Sequence, residues 1–188
     1  MYPTIALASA SPRRRELLQQ LGVNFELINA NIDERVLPAE PPASYVSRLA
    51  LAKAQTGLQL LGNRLPVLGA DTSVVVGDTI LGKPENKADF LQMMQRLSGR
   101  CHQVMTAVAL VSPHQQLERL VITEVCFREI SAAEMEAYWQ TGEPADKAGG
   151  YGIQGIAGKF VERLNGSYSA VVGLPLCETD QLLQQLQR

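Results

Sequence analysis

Apolar positions recur along the chain with two periods, one typical of strands and one typical of helices. Short apolar or alternating runs predict strands at 5–9, 23–28, 65–71, 72–76, 79–81, 103–112, 117–129, 159–164 and 168–172. Apolar residues spaced three and four apart predict helices at 12–21, 44–61, 87–97, 131–141 and 174–186. Because helices are mixed with several hairpins, the pattern predicts a single α/β domain, residues 1–188, with a mixed β-sheet.

The predicted strand at 5–9 runs directly into a helix that begins with Ser11-Pro12. A serine hydroxyl can accept a hydrogen bond from a first-turn N–H, and proline suits the first helical position. Three arginines at 13–15 follow, where the helix dipole is already positive, at an expected cost of roughly 0.3–1 kcal/mol per charge. A bound phosphate would remove this conflict, and a solvated basic turn is the alternative interpretation.

The composition is that of an ordinary soluble globule, with 46% hydrophobic residues. Lys and Arg number 17 and Asp and Glu 19, and the resulting net charge of −2 argues against a general nucleic-acid or anionic-membrane binder. The three cysteines signal neither a disulfide framework nor a zinc site, and we expect them to be small buried residues in a reducing cytoplasm. Neither a signal peptide nor a membrane helix of roughly 20 apolar residues is expected.

Ten polar residues break their local pattern, and most of them are cations. They are Ser9, Ser11, Arg13, Arg14, Glu34, Lys53, Asp71, Lys83, Lys147 and Gln154. This mixture suits hydrolysis of a phosphoanhydride, because cations balance a triphosphate and a divalent metal bridges carboxylates and phosphate oxygens. Asp71, expected at the end of a strand, is the preferred base, and Glu34 in a loop is the preferred metal ligand. An aspartate at a strand end is, however, more often a turn former.

Two further features leave alternatives open. Lys53 lies on the inward face of its helix, where its ammonium either escapes to water or reaches the same anion as the arginines. The segment 146–155 contains four glycines, which allow either close approach to a ligand or a tight chain crossing. It contains neither a P-loop nor a Rossmann fingerprint, and the motifs of zinc and serine hydrolases are missing from the sequence.

Eight motifs, in order and nearly from end to end, resemble the Maf family of nucleoside triphosphate pyrophosphatases. They are Leu7-Ala-Ser-Ala-Ser-Pro-Arg-Arg, Asp33-Glu34, Arg48-Leu-Ala-x-x-Lys53, Gly69-Ala-Asp-Thr72, Gly82-Lys-Pro84, Leu97-Ser-Gly99, Asp146-Lys-Ala-Gly149 and Gly173-Leu-Pro175. The resemblance implies a fold similar to that of inosine triphosphate pyrophosphatases, an elongated mixed sheet flanked by helices with two lobes around a nucleotide cleft. It also implies a cytoplasmic homodimer with a nucleoside triphosphate substrate, and dependence on Mg²⁺ or Mn²⁺.

The resemblance assigns a role to each candidate residue. Asp71 is the implied proton acceptor, and Glu34 joins it as a metal ligand. The residues expected to bind phosphate are Ser9, Ser11, Arg14, Lys53, Lys83 and Lys147. The implied products are the nucleoside monophosphate and pyrophosphate.

The stretches 103–108 and 146–155 resemble the branch that acts on dTTP and UTP, with modified pyrimidine triphosphates as further candidate substrates. The specificity positions carried over from that branch are Arg13, Thr72 and Gln154. The Gln154 amide offers a donor and an acceptor, which match the edge of uracil or thymine. The sister branch, which acts on 7-methyl-GTP, typically has Trp, Gln and Glu there. A pyrophosphatase specific for 7-methyl-GTP and a nucleotide-binding regulator of septum formation are the alternatives.

Overall fold

The computed structural model describes residues 2–186, and the elements named here lie within that range. The strands are β1 (Ile5–Ala8), β2 (Phe25–Leu27), β3 (Val67–Val76), β4 (Thr79–Leu81), β5 (Cys101–Val111), β6 (Gln116–Phe127) and β7 (Val161–Asn165). The helices are α1 (Pro12–Gln20), α2 (Pro42–Leu60), α3 (Lys87–Leu97), α4 (Ala132–Gln140), α5 (Tyr168–Val172) and α6 (Leu176–Leu186). Short 3₁₀ turns cover Glu143–Asp146, Ala148–Gly150 and Ile156–Phe160.

The strands form one mixed sheet in the order β2-β1-β3-β5-β6-β7, with β4 paired to the far end of β3. β1 runs parallel to both β2 and β3, whereas the pairs of β3 with β4 and β5, β5 with β6 and β6 with β7 are antiparallel. Helices cover both faces of this sheet. The predicted α/β class with a mixed sheet flanked by helices is therefore confirmed.

Side chains alternate between the two faces of β1 and β3, and each face has its own apolar cluster. On one face, Ala6 and Val67 pack with the buried stripe of α2. On the other face, Leu7 and Leu68 pack with α1 and α6. Further along that second face, Val74 joins a cluster made by α3, α4 and the turn Ile156–Phe160. Ala70 belongs to the first of these two clusters and Val74 to the second, so residues 71–73 of β3 lie between them.

Two predicted strand assignments are wrong. β3 does not end at Asp71 but continues to Val76, because β5 pairs with it along nearly its whole length. Residues 168–172 form the short helix α5 instead of a strand, since the Ser167 side chain accepts the N–H of Ala170 and caps a helical turn. The strand predicted at 159–164 therefore has no partner at 168–172; β7, which covers Val161–Asn165, pairs with β6.

The prediction for the cysteines is also wrong. Cys101 and Cys126 face each other on β5 and β6 and are joined by a disulfide, which the distance of 25 positions in sequence concealed. Cys101 and Cys177 are exposed, so only Cys126 has the buried position that was expected. None of the helices described in the chain is both long and apolar enough to cross a membrane.

Candidate active site

The candidate site lies where β3 has one unpaired edge. β1 pairs with β3 through Gly69, and β4 pairs with it only from Val74 onward. Residues 70–73 thus face a gap between the ends of two neighbouring strands. A cleft of about 1120 Å³ opens at this gap. It is lined by all of the predicted site residues, namely Ser9, Ser11, Arg13, Arg14, Glu34, Lys53, Asp71, Thr72, Lys83, Lys147 and Gln154.

The first wall of the cleft is the beginning of α1. Ser11 occupies the N-cap position, but its hydroxyl does not cap the helix as predicted; its own N–H donates to Ser9 Oγ at 3.2 Å. Arg13 and Arg14 line the cleft, whereas Arg15 is exposed and lies outside the lining. Two of the three arginines are thus placed for a ligand, and the third is a solvated surface residue.

Arg14 is held from three directions. Its guanidinium donates to the Gly173 carbonyl at 2.9 Å, to Ser9 Oγ at 3.3 Å and to Thr72 Oγ1 at 3.2 Å. Thr106, which is fully buried, donates to the carbonyl of Ala170 at 2.7 Å and lies 3.0 Å from the Thr72 hydroxyl. Burial lowers the pKa of Arg14, and the charge of Asp71 opposes that shift. The Thr72 hydroxyl therefore positions Arg14 in addition to facing the cleft.

The second wall carries the carboxylates. Lys53 Nζ lies 2.8 Å from Asp71 Oδ1 and 2.7 Å from Glu34 Oε1, so its ammonium bridges both groups. Its inward position is thus explained by pairing with two carboxylates. Tyr45 donates its hydroxyl to the Glu34 carbonyl at 2.9 Å and fixes the loop from which Glu34 extends.

Close packing of α2 on β3 brings Lys53 to Asp71. A Cβ atom at Gly69 would lie 2.2 Å from the Ala50 carbonyl oxygen and 2.7 Å from the Ala54 nitrogen. Only glycine allows the helix backbone to approach the strand this closely. The motif Gly69-Ala-Asp-Thr72 thus supplies both the glycine that allows α2 to pack closely on β3 and the Asp71 carboxylate that pairs with Lys53 of α2.

Asp71 is buried, with 8% of its surface exposed, although it lines the cleft. Burial raises its pKa, and the nearby charges of Lys53 and Arg14 act in the opposite direction without cancelling that effect. A carboxylate with a raised pKa is a stronger proton acceptor than an ordinary aspartate. The surroundings of Asp71 therefore suit the role of a general base.

The third wall is the glycine-rich segment. Lys147 Nζ donates to Asp146 Oδ1 at 2.6 Å and to the Glu143 carbonyl at 3.2 Å. Gln154 and Lys83 are exposed in the cleft, and neither side chain makes a hydrogen bond or ion pair to any part of the chain that the structure describes. Their polar groups are therefore free to bind a ligand.

Two residues of the cleft were missed by sequence reasoning. Tyr151 is buried, and its hydroxyl lies 2.7 Å from His102 Nε2. Glu143 accepts hydrogen bonds from Tyr138 and from backbone N–H groups of the following turn. Tyr151 lies within the glycine-rich segment and Glu143 lies three positions before it, and no other sequence signal marked either residue. Tyr138 and Trp139 are packing groups, since both rings pack against Phe90.

Comparison with known proteins places the chain in a family. The sequence model for the Maf-like protein family matches residues 4–186. A dTTP/UTP pyrophosphatase of Pseudoalteromonas atlantica is 56% identical over 186 residues, which cover 97% of this chain and 96% of that protein. A dTTP/UTP pyrophosphatase of Pseudoalteromonas translucida is 53% identical over 188 residues and covers 100% of both chains.

Among solved structures, a nucleoside-triphosphatase / dITP/XTP pyrophosphatase from Mycobacterium abscessus aligns at a TM-score of 0.47 and 22% identity. The alignment covers 69% of this chain and 77% of the other. The match of the family model over nearly the whole length of the chain decides its membership. The chain belongs to the Maf-like protein family.

Proposed function

We propose that this chain hydrolyses dTTP and UTP to the nucleoside monophosphate and pyrophosphate. The observation that carries the proposal is the buried Asp71 carboxylate at the unpaired edge of β3, facing a cleft lined by five cationic side chains. These cations are Arg13, Arg14, Lys53, Lys83 and Lys147. The two full-length relatives named dTTP/UTP pyrophosphatases support the choice of substrate.

Arg14 and Asp71 have different roles in the proposed reaction. Arg14, held by Gly173 and Thr72, is oriented in advance to receive phosphate oxygens, so little conformational freedom is lost on binding. Asp71 accepts the proton of the attacking water, and its buried position keeps it a stronger base than a solvated aspartate. A general base of this kind typically contributes about 10²–10⁴-fold to the rate.

Glu34 and Asp71 would hold a divalent cation, Mg²⁺ or Mn²⁺. The donor set fits, because one oxygen of each carboxylate lies within hydrogen-bond distance of the same Lys53 ammonium, and carboxylate oxygens are the ligands such ions prefer. Mg²⁺ is commonly held by one or two carboxylates, with phosphates and water completing its coordination. Such an ion neutralises charge on the phosphate oxygens. Lys53, whose ammonium lies beside both carboxylates, would supply a further positive charge for a phosphate oxygen.

We further propose that the enzyme works in the cytoplasm as a homodimer, as the family resemblance implies. The cysteines no longer support a reducing compartment, because Cys101 and Cys126 are disulfide-bonded. Sizing the purified protein in solution by light scattering tests the dimer, and fractionation of cells that express it tests the location.

The substitution Asp71→Asn tests the proposal. We expect kcat for dTTP to fall by about 10²–10⁴-fold in the presence of Mg²⁺, with nucleotide binding largely retained, because the amide cannot accept the proton. Pyrophosphate and orthophosphate are measured separately. The same change at Asp78, exposed in the hairpin turn between β3 and β4, is the control. Release of orthophosphate alone would refute the assigned reaction, and near-normal kcat in Asp71→Asn would refute the base.

A further inference from the structure

The turn that presents Gln154 to the cleft is fastened at both ends by a single carboxylate, that of Glu143. The turn closes with a hydrogen bond from the Gly155 N–H to the Gly152 carbonyl at 3.0 Å. Gln154 lies inside it with an exposed side chain. The position of the Gln154 amide therefore depends on what fixes this backbone.

Glu143 fixes the far end of the turn directly. Its Oε2 accepts the N–H of Ile156 at 2.9 Å, and its Oε1 lies 3.5 Å from the N–H donor of Ala157. These N–H groups begin the 3₁₀ turn Ile156–Phe160, so the carboxylate satisfies donors that would otherwise have no partner. The fit is tight, because a Cβ atom at Gly155 would lie 2.4 Å from Glu143 Oε2.

The near end of the turn is held through Tyr138. The Tyr138 hydroxyl donates to Glu143 Oε1 at 2.7 Å and accepts the N–H of Gly152 at 3.3 Å. The Tyr138 ring is 1% exposed and packs against Phe90 and Phe160, which anchors the hydroxyl to the core. One carboxylate thus connects both ends of the turn to a rigid part of the molecule.

Glu143 accepts these hydrogen bonds in its ionised form. Burial opposes its ionisation, but hydrogen bonds from Ile156, Tyr138 and Ala157 outweigh that effect and lower its pKa. Glu143 lines a cleft otherwise rich in cations, and its two oxygens face backbone and tyrosine donors. The Glu143 carboxylate therefore accepts hydrogen bonds from the turn and from Tyr138, and its oxygens do not face the substrate.

Selectivity for uracil and thymine would depend on where this turn places the Gln154 amide. A glutamine amide can present its donor and acceptor in either order, so by itself it can pair with cytosine as well as with uracil. The Gln154 side chain makes no hydrogen bond of its own within residues 2–186, so its backbone alone restrains it. Resting on the proposed function, we propose that Glu143 is a positioning residue that sets base selectivity by fixing the turn that carries Gln154.

The first test is Glu143→Gln, which keeps the size of the side chain but directs an NH₂ group at a backbone N–H or at the Tyr138 hydroxyl. We expect kcat/KM for dTTP to fall about tenfold, mainly through KM, with kcat at saturation within about threefold of wild type. The preference for dTTP over CTP and GTP should fall at least fivefold. Tyr138→Phe, which breaks only the near end, should have a smaller effect. Glu162→Gln, exposed on β7, is the matched control and should leave the preference unchanged.

The second test is a double-mutant cycle with Gln154→Ala. If Glu143 acts through Gln154, adding Glu143→Gln to Gln154→Ala should change the dTTP preference by less than about twofold. An equal loss in both backgrounds, or an equal loss for dTTP, CTP and GTP, would overturn the inference and leave pyrophosphatase activity established. A wild-type protein that releases no pyrophosphate from any triphosphate would overturn the proposed function, and this inference with it.

Discussion

Asp71 and His102 are both buried titratable residues, and burial disfavours the charged form of each. Asp71 retains two cationic neighbours, so its raised pKa reflects a balance between burial and the charges of Lys53 and Arg14. His102 has no such neighbour. Its Nε2 contacts the Tyr151 hydroxyl at 2.7 Å, its ring packs edge-on to Phe127, and its Nδ1 has no partner in the described chain. His102 is therefore a neutral packing group that holds Tyr151.

His102 should make stability depend on pH. Burial lowers its pKa from 6.5 to about 4, so between these values the unfolded chain binds a proton that the folded protein does not. The contribution of His102 to the free energy of unfolding is therefore fully present above pH 6.5. It falls by up to about 3 kcal/mol as the pH decreases toward 4. Melting temperatures of wild type and His102→Gln between pH 7.5 and 4.5 check this. The variant should show a shallower decline, and parallel curves would contradict the assignment.

At the scale of elements, the contact between α2 and β3 controls the site. The Gly69→Ala substitution would place a methyl group against the backbone of α2, at 2.2 Å from the Ala50 oxygen. We expect the helix to shift at a cost of about 1–3 kcal/mol and Lys53 to lose its contact with Asp71. Both the melting temperature and kcat should therefore fall.

Gly82→Ala is the matched control for stability, because a Cβ atom there meets no heavy atom within 4 Å and Gly82 does not have a positive φ. Differential scanning calorimetry of the two variants makes the comparison. A Gly69→Ala protein as stable and active as the Gly82→Ala protein would show that close approach at this strand is not required.

A second prediction concerns the β5–β6 pair, which the disulfide between Cys101 and Cys126 joins across 25 positions of the chain. Closing a loop of this length lowers the entropy of the unfolded chain, which stabilises the folded protein by about 3–4 kcal/mol at 25 °C. Alkylation of the unfolded, unreduced protein should label Cys177 alone, and three thiols should react after reduction. Cys126→Ser should lower the melting temperature, whereas Cys177→Ser should not. Three reactive thiols before reduction would refute the pairing.

The elements that sequence predicted well are those whose signal is local. The helix predicted at 87–97 and the strand predicted at 79–81 are both present with the predicted bounds. The predictions failed where residues distant in sequence determine the local structure. Asp71 does not end its strand, because β5 pairs with β3 on both sides of this position and Lys53 compensates the buried carboxylate. Residues 168–172 look like a strand by composition, but capping by Ser167 makes them a helix.

The residues of the site were predictable and their arrangement was not. Every residue singled out as a candidate lines the cleft at the β3 edge. Ten of them are polar side chains that break their local pattern, and Thr72 was carried over from the family resemblance. Nothing in the spacing indicated that Lys53 bridges Glu34 and Asp71, or that Thr72 supports Arg14. Such contacts join segments that only the sheet topology brings together.

At the scale of the whole molecule, the charge distribution departs from the overall composition. The chain as a whole has a net charge of −2, whereas the cleft is lined by five cationic and four acidic residues, a formal net charge of +1. Two of these, Lys53 and Lys147, are paired with carboxylates of the chain, whereas Lys83 and Arg13 make no hydrogen bond or ion pair within the described residues. A polyanionic ligand would therefore find an unpaired cation, Arg13, on the first wall of the cleft and another, Lys83, on the third.

Binding of a triphosphate should consequently stabilise the fold in a salt-dependent way. For Asp71→Asn, which we expect to bind dTTP and turn it over slowly, a dTTP concentration 100 times Kd should add about 2.7 kcal/mol to the free energy of unfolding, or roughly 5–10 °C in melting temperature. The shift should shrink markedly between about 0.05 and 0.5 M salt, because screening weakens the contacts of exposed cations such as Lys83. Lys83→Gln should reduce both the shift and its salt dependence. Lys87→Gln, a nearby exposed lysine outside the cleft lining, should change neither. A shift that is insensitive to salt and to Lys83→Gln would mean that contacts to the base, and not the cationic walls, supply the binding energy.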